Sequence, residues 1–147
     1  MTDMFKRKFD GPLQQPGVRQ PLENPEQFKA KAAECAMLLF RAAEASITTT
    51  DELHVSIQIN ADYHERALRI ADELVEMEPL RGIPWTLRAQ ALAGLGRPSE
   101  ALASCERAVE IDPSDPAKWR LKSALLQVLG KAAEAEEAKK KAEELGT

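Results

Sequence analysis

The 147-residue sequence repeats itself with a period of 34 residues, and this period constrains the fold more than any other feature. Trp85 and Trp119 lie 34 residues apart, and Trp85, Ala89 and Leu92 fall at i, i+4 and i+7, on one face of a helix. Further columns at this offset are Gly96 with Gly130, Pro79 with Pro113, Leu53 with Leu87 and Leu121, and Ala67 with Ala101 and Ala135. One pair of such helices cannot bury its apolar stripes, so the period predicts a stack of helix pairs.

These residues resemble the tetratricopeptide repeat, whose unit is a pair of antiparallel helices that ends near a proline. The best copy, residues 82–115, carries the resemblance with Trp85, Ala89, Leu92, Gly96, Ala101, Ala108 and Pro113. Residues 116–147 repeat it with Trp119, Ser123, Leu126, Gly130, Ala135 and Ala142. The resemblance implies an all-α, right-handed helical solenoid of antiparallel helix pairs, with about seven helices.

The copy at residues 48–81 is degenerate, because Asp51 replaces the tryptophan and Asp62 replaces the glycine. Its chain either turns at residues 60–62 or forms one long helix from about residue 51 to residue 77. Residues 24–46 keep helical spacing through Phe28, Cys35 and Leu39, and we expect an added N-terminal helix there. These segments form a single domain over residues 24–147, whose charged last helix acts as a polar cap.

Residues 1–23 lack periodicity and contain several prolines, so we expect a disordered or loosely docked tail. Met4, Phe5 and Phe9 are more apolar than a spacer needs, so the tail is alternatively a recognition segment or folds back onto the domain. Cys35 and Cys105 lie among small apolar residues and are expected to be buried spacers without a disulfide.

The sequence favours neither catalysis nor a cofactor. It contains no phosphate loop, nucleophile elbow or dinucleotide fingerprint, and His54 and His64 lack the spacing of a metal site. The formal charge of −4 is spread along the chain, which argues against a nucleic-acid partner. No run approaches the roughly 18 apolar residues of a membrane span, and residues 1–10 contain no signal-peptide core. We expect a cytoplasmic protein that is not an enzyme.

The resemblance implies that the first helix of each repeat lines a concave groove that binds a peptide segment of another protein. The matching positions in this chain are Leu53, Ile83, Thr86, Leu87, Gln90, Ala93, Ala117, Arg120, Leu121, Ala124, Gln127 and Val128. Relatives that clamp a C-terminal carboxylate use several Lys and Asn residues here, whereas this chain has Thr86, Gln90 and Ala124. An extended or helical apolar segment therefore fits this lining better.

Three basic residues, His54, Arg88 and Lys122, share a column that is usually apolar. They either form a ladder that meets an acidic partner segment or bury their stems between helices and direct their charge to solvent. The function expected from these features is that of a protein-binding adaptor or assembly factor. The alternatives are an export chaperone, similar to the tetratricopeptide chaperones of type III secretion, and a structural subunit of a homo-oligomer or larger assembly.

Overall fold

The structure is a computed structural model that describes the backbone of residues 24–45 and 53–146 and the side chains of residues 24–44 and 61–146. The predicted tail, residues 1–23, lies outside the described residues. All regular structure in the described part is helical. Six helices follow one another: α1 (Pro25–Ala45), α2 (Leu53–Met77), α3 (Gly82–Gly94), α4 (Pro98–Ile111), α5 (Pro116–Val128) and α6 (Ala132–Gly146).

Helix starts follow from polar caps and prolines. The Asn24 side chain accepts a hydrogen bond from the Gln27 amide at the start of α1, and Asp115 accepts one from the Ala117 amide at the start of α5. Proline is the first residue of α4 and of α5, as predicted, where its missing amide hydrogen costs nothing. The sequence therefore marks these boundaries by local chemistry alone.

The first helix of each well-conserved repeat ends at a glycine in the left-handed conformation. Gly96 has φ +72° and Gly130 has φ +77°, values that residues with a side chain rarely adopt. Beyond each glycine, the next amide closes the helix end: Arg97 N–H donates to Leu92 O, and Lys131 N–H donates to Leu126 O. These bonds fix the turn that sends the second helix of the pair back along the first.

No such glycine interrupts α2, which is continuous from Leu53 to Met77. Of the two alternatives for this segment, the structure shows the single long helix. The described residues consequently contain six helices, against the expected number of about seven. The cause is local, since Asp62 stands where Gly96 and Gly130 allow the chain to turn.

The helices pack as three antiparallel pairs, with α1 on α2, α3 on α4 and α5 on α6. The pairs are joined because α3 also packs on α2 and α5 on α4. The periodicity of the sequence reappears in the hydrogen bonds: the indole N–H of Trp85 donates to Pro79 O at 2.8 Å, and that of Trp119 donates to Pro113 O at 2.8 Å. Each indole thus ties the start of a pair to the turn that precedes it.

Helix α1 occupies the place of the first helix in the first pair. In the last pair, the Ser123 hydroxyl donates to Ala135 O at 2.8 Å, and in the first pair the Cys35 thiol donates to Ala67 O at 3.3 Å. Ala67 and Ala135 belong to the same column of the repeat, so Cys35 corresponds to Ser123. Helix α1 is therefore part of the first repeat, whereas the sequence predicted an added helix that covers it.

Small, fully buried residues allow the helices to approach closely. Neither Ala89 nor Ala101 is exposed, and the same holds for both cysteines, which are free thiols as expected. Burial raises the pKa of Cys35 to about 12 and that of Cys105 to about 11. The two cysteines consequently act as small apolar spacers with protonated, unreactive sulfur.

Candidate protein-binding groove

One exposed face runs across the first helices of the three pairs. We call it the groove and define it by these solvent-exposed residues: Ala36 and Phe40 on α1, Ile83, Gln90 and Ala93 on α3, and Ala117, Arg120, Ala124, Gln127 and Val128 on α5. Its large apolar side chains are well exposed: Phe40 is 64% accessible, Ile83 58% and Val128 71%. Only two further large apolar side chains among the described residues are so exposed, Met37 and Leu80. The groove therefore concentrates the accessible apolar surface.

The residues expected to line the groove differ in their exposure. Those on its surface are Ile83, Gln90, Ala93, Ala117, Arg120, Ala124, Gln127 and Val128. Thr86 and Leu121 are half-buried, and Leu87 is buried in the core with α1 and α2. The Thr86 hydroxyl donates to Gly82 O at 3.0 Å, so its hydrogen-bonding capacity is partly used inside the protein. The side chain of Leu53 lies outside the described residues, and its role stays a prediction.

Comparison with known proteins agrees with the period and the helix pairs. Residues 83–125 match the family model of the tetratricopeptide repeat, which covers α3, α4 and most of α5. The chain is a tetratricopeptide-repeat protein. No curated protein matches the sequence significantly.

Solved tetratricopeptide structures share the fold of this chain. MamA AMB-1 in crystal form C2221 matches with a TM-score of 0.53 and 23% identity over 61% of this chain, which spans only 56% of that one. MamA MSR-1 matches with a TM-score of 0.55 and 22% identity over 82% of this chain and 70% of that one. The second tetratricopeptide domain of Spaghetti (RPAP3), bound to the HSP90 peptide SRMEEVD, matches with a TM-score of 0.55 and 18% identity, covering 82% and 98% of the two chains. At these identities the likeness shows the fold alone.

The basic column of this tetratricopeptide protein is partly engaged in internal contacts. Arg88 is half-buried, and its guanidinium bonds Asp72 of α2 at 2.8 Å and the buried hydroxyl of Ser104 on α4. Lys122 is half-buried too, and its ammonium lies 5.4 Å from the centre of the Trp119 ring. The side chain of His54 lies outside the described residues. The contacts of Arg88 and Lys122 favour the alternative in which basic stems pack between helices.

Asp72 shows what the Arg88 contact costs. Burial raises the pKa of Asp72 above its ordinary value, and this outweighs the lowering of its pKa by the hydrogen bond and the charge of Arg88. The Arg88 guanidinium therefore links α2, α3 and α4 at the boundary between two repeats, while its carboxylate partner is incompletely solvated. Arg88 is a structural link between helices in this geometry.

The groove residues on α1 escaped the sequence analysis, because a fixed offset of 34 residues cannot find them. Phe40 corresponds to Val128 only when a 54-residue step from Phe40 to Gly94 precedes the 34-residue step from Gly94 to Val128. The extra 20 residues lie in the connection between α1 and α2 and in the longer helices of the first pair. A signal was present, since Cys35 and Leu38 repeat the spacing of Ala89 and Leu92.

Proposed function

We propose that this protein binds an apolar segment of another protein in the groove, as an adaptor or assembly factor. The exposure of Phe40, Ile83 and Val128 on one continuous face carries the proposal. Large apolar side chains that share a face commonly mark an interaction surface, because water contact with each costs about 1.5–3 kcal/mol that burial against a partner recovers. The three residues come from three different repeats, so the segment would span the whole array.

The lining also restricts the chemistry of the segment. Alanines at 36, 93, 117 and 124 leave room for bulky apolar side chains of a partner, and Gln90 and Gln127 offer hydrogen bonds without charge. Arg120 is the charged residue of the groove as defined, and an acidic group of the partner near α5 would pair with it. We therefore expect a mainly apolar segment with one acidic residue, in either a helical or an extended conformation.

The peptide-bound domain of Spaghetti (RPAP3) supports this mode, since the same fold there holds a peptide. Its peptide, SRMEEVD, is rich in acidic residues, whereas Thr86, Gln90 and Ala124 give the groove of this chain few cationic contacts. A cytoplasmic location and a role as an export chaperone or as a subunit of a larger assembly belong to the same proposal, and they differ from the adaptor in the partner alone. Among the described residues, no helix has the length and apolarity needed to cross a membrane.

Affinity measurements on a co-purified partner test the proposal. Val128→Glu and Phe40→Glu place a charge in the groove, and Ala103→Glu places the same charge on an exposed site of α4, the second helix of its pair. The groove variants should weaken the complex at least tenfold, because an unpaired carboxylate would have to be desolvated, whereas Ala103→Glu should leave the affinity unchanged. Circular dichroism confirms that each variant is folded. Equal affinities for the wild type and both groove variants would refute the proposal.

A further inference from the structure

A second face of α1, distinct from the groove, is uncovered although the same face of α3 and α5 is buried. Met37 is 56% exposed, whereas the residues in its column, Ala91 and Leu125, are 0% and 4% exposed. Ala91 packs in the core formed with α1 and α2, and Leu125 packs in the core formed with α3 and α4. The Met37 face is thus the surface with which the first helix of each repeat packs on the preceding repeat, and no described element precedes α1.

The rest of this face follows the same rule. Ala30 and Ala33 are exposed on α1, and their columns contain the buried Pro84 and Lys118 and the buried or half-buried Leu87 and Leu121. Because the face of α1 consists of two alanines around one methionine, another helix can approach it closely. We call the face formed by Ala30, Ala33 and Met37 the stacking face.

Two opposite charges flank the stacking face. Glu34 lies one turn before Met37 and Arg41 one turn after it, and both are exposed. At about 100° per residue they lie on the same side of Met37, about 60° and 40° around the helix. Neither makes an ion pair with the described residues, in contrast to Lys31 of the same helix, which pairs with Glu73 of α2. The charges are therefore available to a partner that covers the stacking face.

We propose that the stacking face is covered by the same face of a second copy of this chain, in an antiparallel two-fold dimer of α1 helices. With Met37 on the two-fold axis, Glu34 lies about 4.5 Å along the helix in one direction and Arg41 about 6 Å in the other. An antiparallel partner therefore sets each Glu34 beside the Arg41 of the other copy, and the symmetry makes this contact twice. Met37 packs on its own counterpart between the two ion pairs.

The two-fold arrangement explains both the apolar strip and the order of the charges. An interface between identical faces needs each charge to meet its opposite, and Glu34 and Arg41 satisfy this requirement because they lie at nearly equal distances from Met37. The groove stays open, since Ile83 and Val128 lie on α3 and α5. Each dimer would then carry two grooves, which raises the avidity for a partner with two binding segments.

Sedimentation equilibrium of the full chain over a range of concentrations tests the dimer. We expect a species of twice the chain mass of 16.3 kDa. Met37→Glu should abolish it, and Val128→Glu, a charge of the same kind at an exposed site outside the stacking face, should preserve it. A chain that stays monomeric at every concentration would overturn the proposal and leave residues 1–23 or a different protein as the occupant of the face.

Charge exchange tests the arrangement of the dimer. Glu34→Arg alone and Arg41→Glu alone each place like charges at both contacts, and each should raise the dimer Kd roughly tenfold. An equimolar mixture of the two variants should form heterodimers with the wild-type Kd, because both contacts then pair Arg with Glu. The double variant with both substitutions should behave likewise. A dimer whose Kd is unaffected by either single exchange, or a mixture that is not rescued, overturns the antiparallel arrangement.

Discussion

Replacing Leu38 by alanine should destabilise the whole array, because the structure makes α1 part of the first repeat. Leu38 is 5% exposed and packs in one core with residues of α2 and α3, and its column contains Leu92 at 0% and Leu126 at 1%. The substitution removes three carbon atoms, which at about 0.8 kcal/mol per buried methylene corresponds to about 2.4 kcal/mol. The cavity left behind adds to this, so we expect a loss of about 2–4 kcal/mol.

Urea unfolding measures this loss when it is followed by tryptophan fluorescence. Both tryptophans, Trp85 and Trp119, lie outside the first repeat, so they report whether damage in α1 reaches the rest of the array. Leu38→Ala should lower the free energy of unfolding by nearly as much as Leu92→Ala. Phe40→Ala is the matched control on α1 and should change it by less than about 0.5 kcal/mol, since Phe40 is exposed. If the fluorescence midpoint of Leu38→Ala equals that of the wild type, α1 is a peripheral helix and the reasoning fails.

Further predictions concern the buried polar and reactive groups. Cys35 and Cys105 should react with a thiol reagent such as Ellman's reagent only as fast as the protein unfolds, because burial keeps both sulfurs protonated, and rapid labelling of the native protein would contradict their burial. A Cβ atom at Gly94 would lie 2.0 Å from the imidazole of His64, so Gly94→Ala should be neutral or destabilising in the wild type. In a His64→Ala background it should instead stabilise by up to about 1 kcal/mol, as expected for alanine in a helix, and equal effects in both backgrounds would count against the contact. Because burial raises the pKa of Asp72, the folded chain holds this proton more tightly than the unfolded chain. The stability of the wild type relative to Asp72→Asn should therefore fall as the pH rises from below the ordinary value of 3.8 through the raised pKa, and a rise over that interval in urea titrations would contradict the shift.

Much of the fold follows from local chemistry that the sequence displays. The 34-residue columns identify the helix pairs, Pro98 and Pro116 mark where α4 and α5 begin, and Gly96 and Gly130 mark where α3 and α5 end. Each of these signals acts within a few residues, through a missing amide hydrogen or a left-handed backbone conformation. For this reason they can be recognised without knowledge of the tertiary structure.

The role of α1 depends on tertiary packing and was predicted differently. The degenerate copy suggested that a helix near Leu53 pairs with the helix that contains Ala67, because both fall in the 34-residue register. The structure pairs Ala67 with Cys35 instead. A small residue at Cys35 satisfies the same close approach as Ala89 and Ser123, but an insertion displaces it from the register. Periodicity cannot reveal which of two amphipathic helices fills a position when a connection of variable length separates them.

The exposed surfaces were predicted only in part for the same reason. Ile83 and Val128 follow from the resemblance and are exposed in the structure, whereas Phe40 and Met37 depend on the placement of α1. Met37 has no sequence feature that distinguishes it from the buried Leu38 beside it. Its exposure follows from the absence of a described element before α1, which is a property of the stack.

The most direct test of the account is an NMR measurement of the contacts of the Ala67 methyl group. The structure places the Cys35 thiol 3.3 Å from Ala67 O, with both residues fully buried. Nuclear Overhauser effects should therefore connect the Ala67 methyl protons to the Cβ protons of Cys35. If the 34-residue register decided the pairing, the chain would turn near residue 61, and Val55, which shares the column of Ala89 and Ser123, would contact Ala67 instead. Contacts between Ala67 and Cys35 would confirm α1 as the first helix of the array and extend the groove to Phe40, whereas contacts between Ala67 and Val55 would contradict the account.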